Sequence, residues 1–470
     1  MLGAIAAVLL ASGPSQSELT IYNQGFGLVK EVRTINLKQG RQNVAIEDVA
    51  SLIDPTSVSF HSLTNKDAFS IFEQNYQFDL INPIAILNKS VGQKIRFVRT
   101  MGNQKEILTG TLLSAPTAVV ANNNSFGGSM QTYNGMVIRT DDNRIVLDPT
   151  GEVEVSSVPQ GLISKPTLMW DIDAQEAGEN KVELSYISHG LSWNADYVVT
   201  LTSPDKGDMQ GWVTLTNSSG ATWDNAKLKL LAGDVNTVNP PTLRMMSGVG
   251  GFAAGAAKAQ FQEEGLFEYH LYTLQRPATV RNNETKQLTL LQGQDIPLKK
   301  KIIIDSINSR YYPSEGEIGT GDIKPQVRLE FVNNTESGLG IPLPKGKIRI
   351  YQKDKSGSVQ LLGEDQIDHT ARNEHVSLVV GRSFDIACSR KRTNFVRIGS
   401  SGFRESFEIE VRNRKETPEQ VFVMERHWDD WRILEKSMDF KKLDSETMQF
   451  ELNLKPNEVR TIKYTVETRW

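Results

Sequence analysis

Tyr186–Leu201 reads YISHGLSWNADYVVTL, and Gly211–Asn236 reads GWVTLTNSSGATWDNAKLKLLAGDVN. Apolar residues recur at every second position, and each run breaks at Asn, Ser or Gly. Side chains alternate across a strand and these residues make turns, so the pattern predicts antiparallel strands in a β-sandwich. On one face of Val182–Ile187 lie Val182, Leu184 and Tyr186, and on one face of Asp196–Leu201 lie Tyr197, Val199 and Leu201.

The same signature extends in both directions. Glu18–Phe60 reads as strands with turns at Gly25, Gly27 and Gly40, and "KKKIIIDS", "VRLEFVNN", "KIRIYQKD", "FEIEVRNRKE" and "VRTIKYTVETRW" carry it to the C-terminus. Between Asn82 and Gly161 the character changes. Pro83 opens a helical turn or two. "QKIRFVRT", "EILTGTLLSA", "TAVVA", "GMVIRTDDNRIVLDP" and "EVEVSSVP" then predict five short strands, a small five-stranded β-barrel inserted in the chain. The fold class is therefore all-β, with several antiparallel, immunoglobulin-like sandwich modules, an inserted barrel and very little helix. The expected division is a signal-like segment (1–17), an N-terminal β unit (18–81), the barrel (82–165), a first sandwich portion (166–240), a Gly/Ala-rich flexible linker (241–262) and a C-terminal sandwich portion (263–470).

A weak internal echo runs through the sandwich sequence. Strands end in Asn at Asn217 ("WVTLTNSSG"), Asn333 ("VRLEFVNNTESG") and Asn413 ("FEIEVRNRKETP"). Asn tolerates the left-handed region and bonds its own backbone. The spacings, 116 and 80 residues, exclude a regular solenoid and fit modules of similar construction.

Composition narrows the function. At 470 residues the chain has material for about two to four domains. With 52 basic and 56 acidic residues it lacks the basic footprint of a nucleic-acid binder. Leu2–Ala11 is apolar, too short to span a bilayer, and is followed by the small-x-small site Ser15-Gln16-Ser17. That pattern predicts export to the periplasm or beyond, although no basic residue precedes it. No Cys lies near position 18 for a lipid anchor, and no later segment is apolar enough for a transmembrane helix. Cys388 is the only cysteine, which excludes an intrachain disulfide and a Cys-based zinc cluster; it is expected to be a packed, inert thiol.

The search for chemistry finds little. Gly248–Gly251 lacks the strand–helix context of a phosphate loop, and Gly190–Asn194 lacks the second glycine of a nucleophile elbow. No catalytic residue and no cofactor are assigned. Glu364, Asp365, Asp368 and His369 place hard oxygen donors beside an imidazole, a set able to hold a metal, though their spacing matches no known loop. Trp193, Trp212 and Trp223 are candidate binding residues, because a half-buried indole stacks on a sugar or a protein partner. Trp212 shares its face with Thr214 and Thr216.

Several of these segments resemble an uncharacterised bacterial family, the β-rich domain of unknown function in proteins similar to the mucoidy inhibitor A group. They are "ISHGLSWNADYVVTL", "TNSSGATWDNAKLKLLAGDVN", "FEYHLYTLQRPATVRNNETKQLTLL", the long motif from Gly338 to Glu374, "NLKPNEVRTIKYTVETRW" and "TIYNQGFGLVKEVRTINLKQGRQNVAIEDVASLIDPTSV". This chain lacks the long coiled-coil helices of some members. The resemblance implies a β-sandwich, frequent export and no established reaction. The expected function is an exported cell-envelope protein that binds or scaffolds a protein or glycan. The alternative is a metal-assisted hydrolase around Asp368 and His369.

Overall fold

The computed structural model describes residues 9–101, 104–115, 118–121, 130–133, 135–237, 260–305 and 320–470. The start of the apolar leader, the Asn122–Gly128 tract and residues 241–259 of the expected 241–262 linker lie outside the described residues, while Phe261 and Gln262 belong to the Phe261–Leu266 strand rather than to a linker. The fold is all-β, and the one α-helix among the described residues, Pro83–Lys89, is capped by Asn82, whose side chain accepts from the Ala85 N–H.

The first sandwich has an eight-stranded sheet whose centre is Trp223–Ala232, Gln16–Tyr22, Phe26–Leu37 and Gly178–His189. It faces a five-stranded sheet in the order Glu284–Pro297, Lys206–Asn217, Leu191–Ser203, Gly346–Lys353, Val359–Ile367. A four-stranded sheet (Leu9–Leu10, Gly40–Glu47, Thr167–Ala174, Phe69–Gln77) packs on the same core. Val182, Leu184, Tyr186, Tyr197 and Val199 are buried there, on the faces that their alternation assigns them.

The second sandwich pairs a six-stranded sheet containing Lys299–Asp305, Glu419–Arg426 and Thr447–Leu454 with a five-stranded one centred on Ile386–Arg397, Gly402–Asn413 and Val459–Arg469. Its core includes Phe407, Ile409, Val421, Phe450, Ile462 and Cys388. Burial pushes the Cys388 thiol up to about 12, which leaves it protonated and inert.

The order of sheets departs from the expected order of domains. Strands from 18–81 share sheets with strands from 166–240: Phe26–Leu37 pairs with Gly178–His189 along its whole length, and Gly40–Glu47 with Thr167–Ala174. The chain after 263 also divides, because Glu284–Pro297 and Gly346–Lys353 complete the first sandwich. Local periodicity assigns a strand but not its neighbour, and here several neighbours are distant and parallel. Gln16–Tyr22 runs parallel to Trp223–Ala232, and Leu191–Ser203 parallel to Gly346–Lys353. At the second junction only glycine fits, since a Cβ on Gly346 would lie 2.1 Å from the Ala195 carbonyl oxygen.

The block after Asn82 is an insertion at a hairpin end. Phe69–Gln77 and Thr167–Ala174 are antiparallel partners, with Gln77 opposite Thr167. The intervening chain carries a five-stranded antiparallel sheet, Ile145–Leu147, Val137–Thr140, Gln104–Ser114, Lys94–Met101, Glu152–Val155. Its two edge strands do not pair to close a barrel among the described residues. Ala118–Ala121 pairs instead with Met130–Tyr133, and "GMVIRTDDNRIVLDP" folds as a hairpin through Asn143, which takes a φ of 66°.

The three echoed asparagines are buried corners. Asn217 Nδ2 donates to the carbonyls of Ala221 (2.8 Å) and Val280 (3.3 Å), and its Oδ1 accepts from Ser219 N–H. Asn413 donates to Thr417 and Lys455 at 2.9 Å and accepts from Lys415 N–H. Asn333 donates to Ile341 (2.8 Å) and Ala371 (3.1 Å) and accepts from Gly340 N–H. Opposite each begins a strand led by a left-handed Asn and a Glu: Asn283-Glu284, Asn373-Glu374 and Asn457-Glu458. The echo is thus one construction used three times.

Candidate functional site

Two of the three candidate tryptophans belong to the core. Trp193 is 1% exposed and meets the Tyr272 ring edge-on at 6.5 Å. Trp223 is 2% exposed, and its Nε1–H donates to Glu31 Oε1 at 3.0 Å. Glu31 in turn holds the buried Arg33 guanidinium, at 2.9 Å from Nε and 2.7 Å from Nη2. Neither indole presents a face to an external partner, which corrects the expectation for both. Alternation says which residues share a face but not which face a second sheet covers. Trp212 is half-buried and shares its face with Thr214, whose hydroxyl donates to Asp196 at 2.7 Å, and with Thr216. It remains on a polar, solvent-facing sheet surface.

The acidic segment does not converge into a metal site. Glu364 and Asp365 are adjacent on the Val359–Ile367 strand and point to opposite faces. Glu364 accepts from Arg349 Nε at 2.8 Å, whereas Asp365 accepts from Val379 N–H at 2.6 Å and pins the neighbouring strand. Asp368 is highly exposed and lies 3.3 Å from Lys345 Nζ. His369 has both ring nitrogens engaged. Lys345 N–H donates to Nδ1 at 3.2 Å, and Nε2 faces the Asn23 amide at 3.3 Å.

A nitrogen that accepts from an N–H carries no proton, so the neutral His369 is the Nε2–H tautomer. Asn23 Oδ1, buried and without a partner among the described residues, is the matching acceptor once the amide turns over. Burial lowers the His369 pKa, as does the Lys345 charge, while Asp234 and Asp368 oppose them. His369 is thereby a neutral clamp between the Asn23 turn and Lys345. Among the described residues no three His, Cys, Asp or Glu side chains gather to hold a metal.

A different surface stands open. Among the described residues Phe69–Gln77 is the edge of its sheet, paired on one side only, and no proline interrupts it. Its inner contacts are strong: Gln74 Oε1 accepts from Trp170 Nε1 at 2.9 Å, and Tyr76 Oη donates to the Ala50 and Ser51 carbonyls at 3.1 and 3.0 Å. Ile71, opposite the buried Ile172, and Phe72, at an irregularity in the pairing, are both exposed, Phe72 60% so and beneath the Arg41 guanidinium at 5.0 Å. Arg41 is fixed by Asp171, whose carboxylates accept from Nε at 3.0 and 3.1 Å. The chain beyond the strand exposes Phe78, Ile81 and Ile84 in succession. Sequence reasoning missed this surface, although "FSIFEQNYQ" carries a signal, a β-prone run with a single charge.

Among the described residues no helix is long and apolar enough to cross a membrane. No family model matches the chain, and a search of curated proteins likewise finds no match.

Proposed function

We propose that this is a non-enzymatic binding or scaffolding protein of the bacterial cell envelope, exported and related to the mucoidy inhibitor A-like family. Its protein partner adds an extended segment to the Phe69–Gln77 edge. The observation that carries this reading is that edge: unpaired backbone groups beside Ile71 and Phe72, continued by Phe78, Ile81 and Ile84. Strand addition takes affinity from main-chain hydrogen bonds and specificity from alternate side chains, and this edge offers both. Arg41 and Asp171, locked on each other, supply a rigid polar rim to an apolar centre.

The test is site-specific photo-crosslinking in intact cells, with a photoreactive residue at position 72 and a control at position 384. Phe384 is 98% exposed and sits in the turn between His375–Arg382 and Ile386–Arg397, neither of which belongs to the sheet of Phe69–Gln77. A discrete adduct in the envelope fraction from position 72 alone, lost when Ile71 is replaced by Lys, is the expected result. Equal labelling from both positions, or none from position 72, would overturn it.

A further inference from the structure

The end of the Trp223–Ala232 strand, the start of the Tyr269–Leu274 strand and the chain from Pro342 to Pro344 enclose a cavity of about 280 Å³. Its wall is preformed. The Tyr269 ring lies against Gly233, which has a φ of +140° and where a Cβ would come within 2.4 Å of the ring. The buried Tyr272 and Tyr197 hydroxyls donate to the Pro342 and Pro344 carbonyls at 2.9 and 2.7 Å, anchoring the third side. A ligand therefore meets a surface that is already ordered.

The cavity's polar groups favour one sign of charge. Asp234 and Glu268 line it, and neither has an ion-pair partner among the described residues. His369 is held neutral by its two contacts. His270 has its Nδ1 against Glu263 Oε1 at 2.8 Å. Lys345, bonded to His369 through its backbone, is occupied by Asp368 at 3.3 Å. Two uncompensated carboxylates beside the Tyr269 ring select a cation, since a ring face adds attraction to a charge that the carboxylates draw in. A bare metal needs three or more converging donors, which the described residues do not supply. An organic cation needs only charge, an aromatic wall and room for a few carbons.

We infer that this cavity binds a primary alkylammonium group, from either a lysine side chain of a polypeptide or a free diamine. The inference stands apart from the strand-edge reading and uses none of its residues. It is tested by isothermal titration calorimetry of the full chain at low salt with N-acetyl-lysine methylamide, with cadaverine, and with N-acetyl-norleucine methylamide as the neutral isostere. Saturable binding of an ammonium probe, with none of the isostere, is expected. The tighter of the two ammonium probes identifies the source.

Asp234→Asn and Glu268→Gln should each weaken binding about threefold, and together about tenfold. Both side chains are exposed, so an unchanged melting temperature verifies that the variants are folded. No saturable binding of either ammonium probe, equal binding of the isostere, or full affinity in the folded double variant would overturn the inference.

Discussion

His427→Phe should flatten the acid limb of stability. His427 is 3% exposed in the second core, with the rings of Phe407, Trp431 and Tyr464 at 6.4, 5.5 and 5.7 Å, and its Nε2 is buried without a hydrogen-bond partner among the described residues. Burial, and then the Arg390 charge, lower its pKa to about 3. In the unfolded chain it titrates near its ordinary value of about 6.5. As pH falls through that value the unfolded state takes up a proton and the folded state does not. Stability is therefore fully present above about pH 6.5 and drains away down to about pH 3.

Between pH 7.5 and pH 5 the loss from this one group is about 2 kcal/mol, set almost wholly by the unfolded value because the folded one lies well below 5. Phenylalanine keeps the ring and removes both the proton site and the unpaired nitrogen. Urea unfolding at the two pH values, followed by near-ultraviolet circular dichroism, reads the difference. With a slope of about 2 kcal/mol per molar, the wild-type midpoint should fall by about 1 M more than the variant's. Carboxylates such as Glu467, which Arg404 among others holds down at about 2, titrate in both proteins and cancel. Identical pH slopes for the two proteins would refute the argument.

Arg390→Met should destabilise the second sandwich by about 3–5 kcal/mol, because it strands Glu425, which is fully buried with Tyr464 Oη on its carboxylate. Replacing Glu425 as well should restore most of that loss, and urea midpoints of the single and double variants decide it. Asn413→Ala removes donors to the Thr417 and Lys455 carbonyls and should cost about 2–3 kcal/mol by the same assay, against less than about 0.5 kcal/mol for Asn394→Ala on an exposed stretch. Excising residues 80–163 and closing the gap with Asn-Gly should leave a folded protein, since Gln77 already lies opposite Thr167; loss of cooperative thermal unfolding would contradict this. If the chain is exported as proposed, intact mass of the mature protein should place its first residue at Glu18. That cut removes Leu9–Leu10, a two-residue edge strand, and the first two residues of Gln16–Tyr22, which pair with Val32 and Glu31, and it leaves Gly40–Glu47 paired with Thr167–Ala174.

Much of the fold was legible because burial and alternation coincide. Val182, Leu184 and Tyr186 could be placed on one face from spacing alone, and all three are fully buried. Partnering was not legible. Nothing near Gly346 announces a parallel neighbour at Ala195, and nothing near Trp223 says that Glu31 will accept from its indole. The cavity was legible only through His369. Asp234 follows a strand end, Glu268 lies in a turn and His270 sits at the start of the next strand, and only tertiary pairing brings them beside residue 369. The asparagine echo showed the reverse. Its turn chemistry could be read, but its role as a buried cross-link depends on carbonyls 38 to 63 residues away.

The distant parallel pairings also set a timetable. Gln16–Tyr22 has no neighbour on one side until Trp223–Ala232 has been made, and Leu191–Ser203 waits for Gly346–Lys353. Loops of this length close slowly, because their entropy must be lost before any contact repays it. The pairings that close the first sandwich therefore come late, after the local hairpins Gln16–Leu37 and Leu191–Asn217 are available. For the export proposed above, such a delay would suit a translocation machine that accepts only unfolded polypeptide.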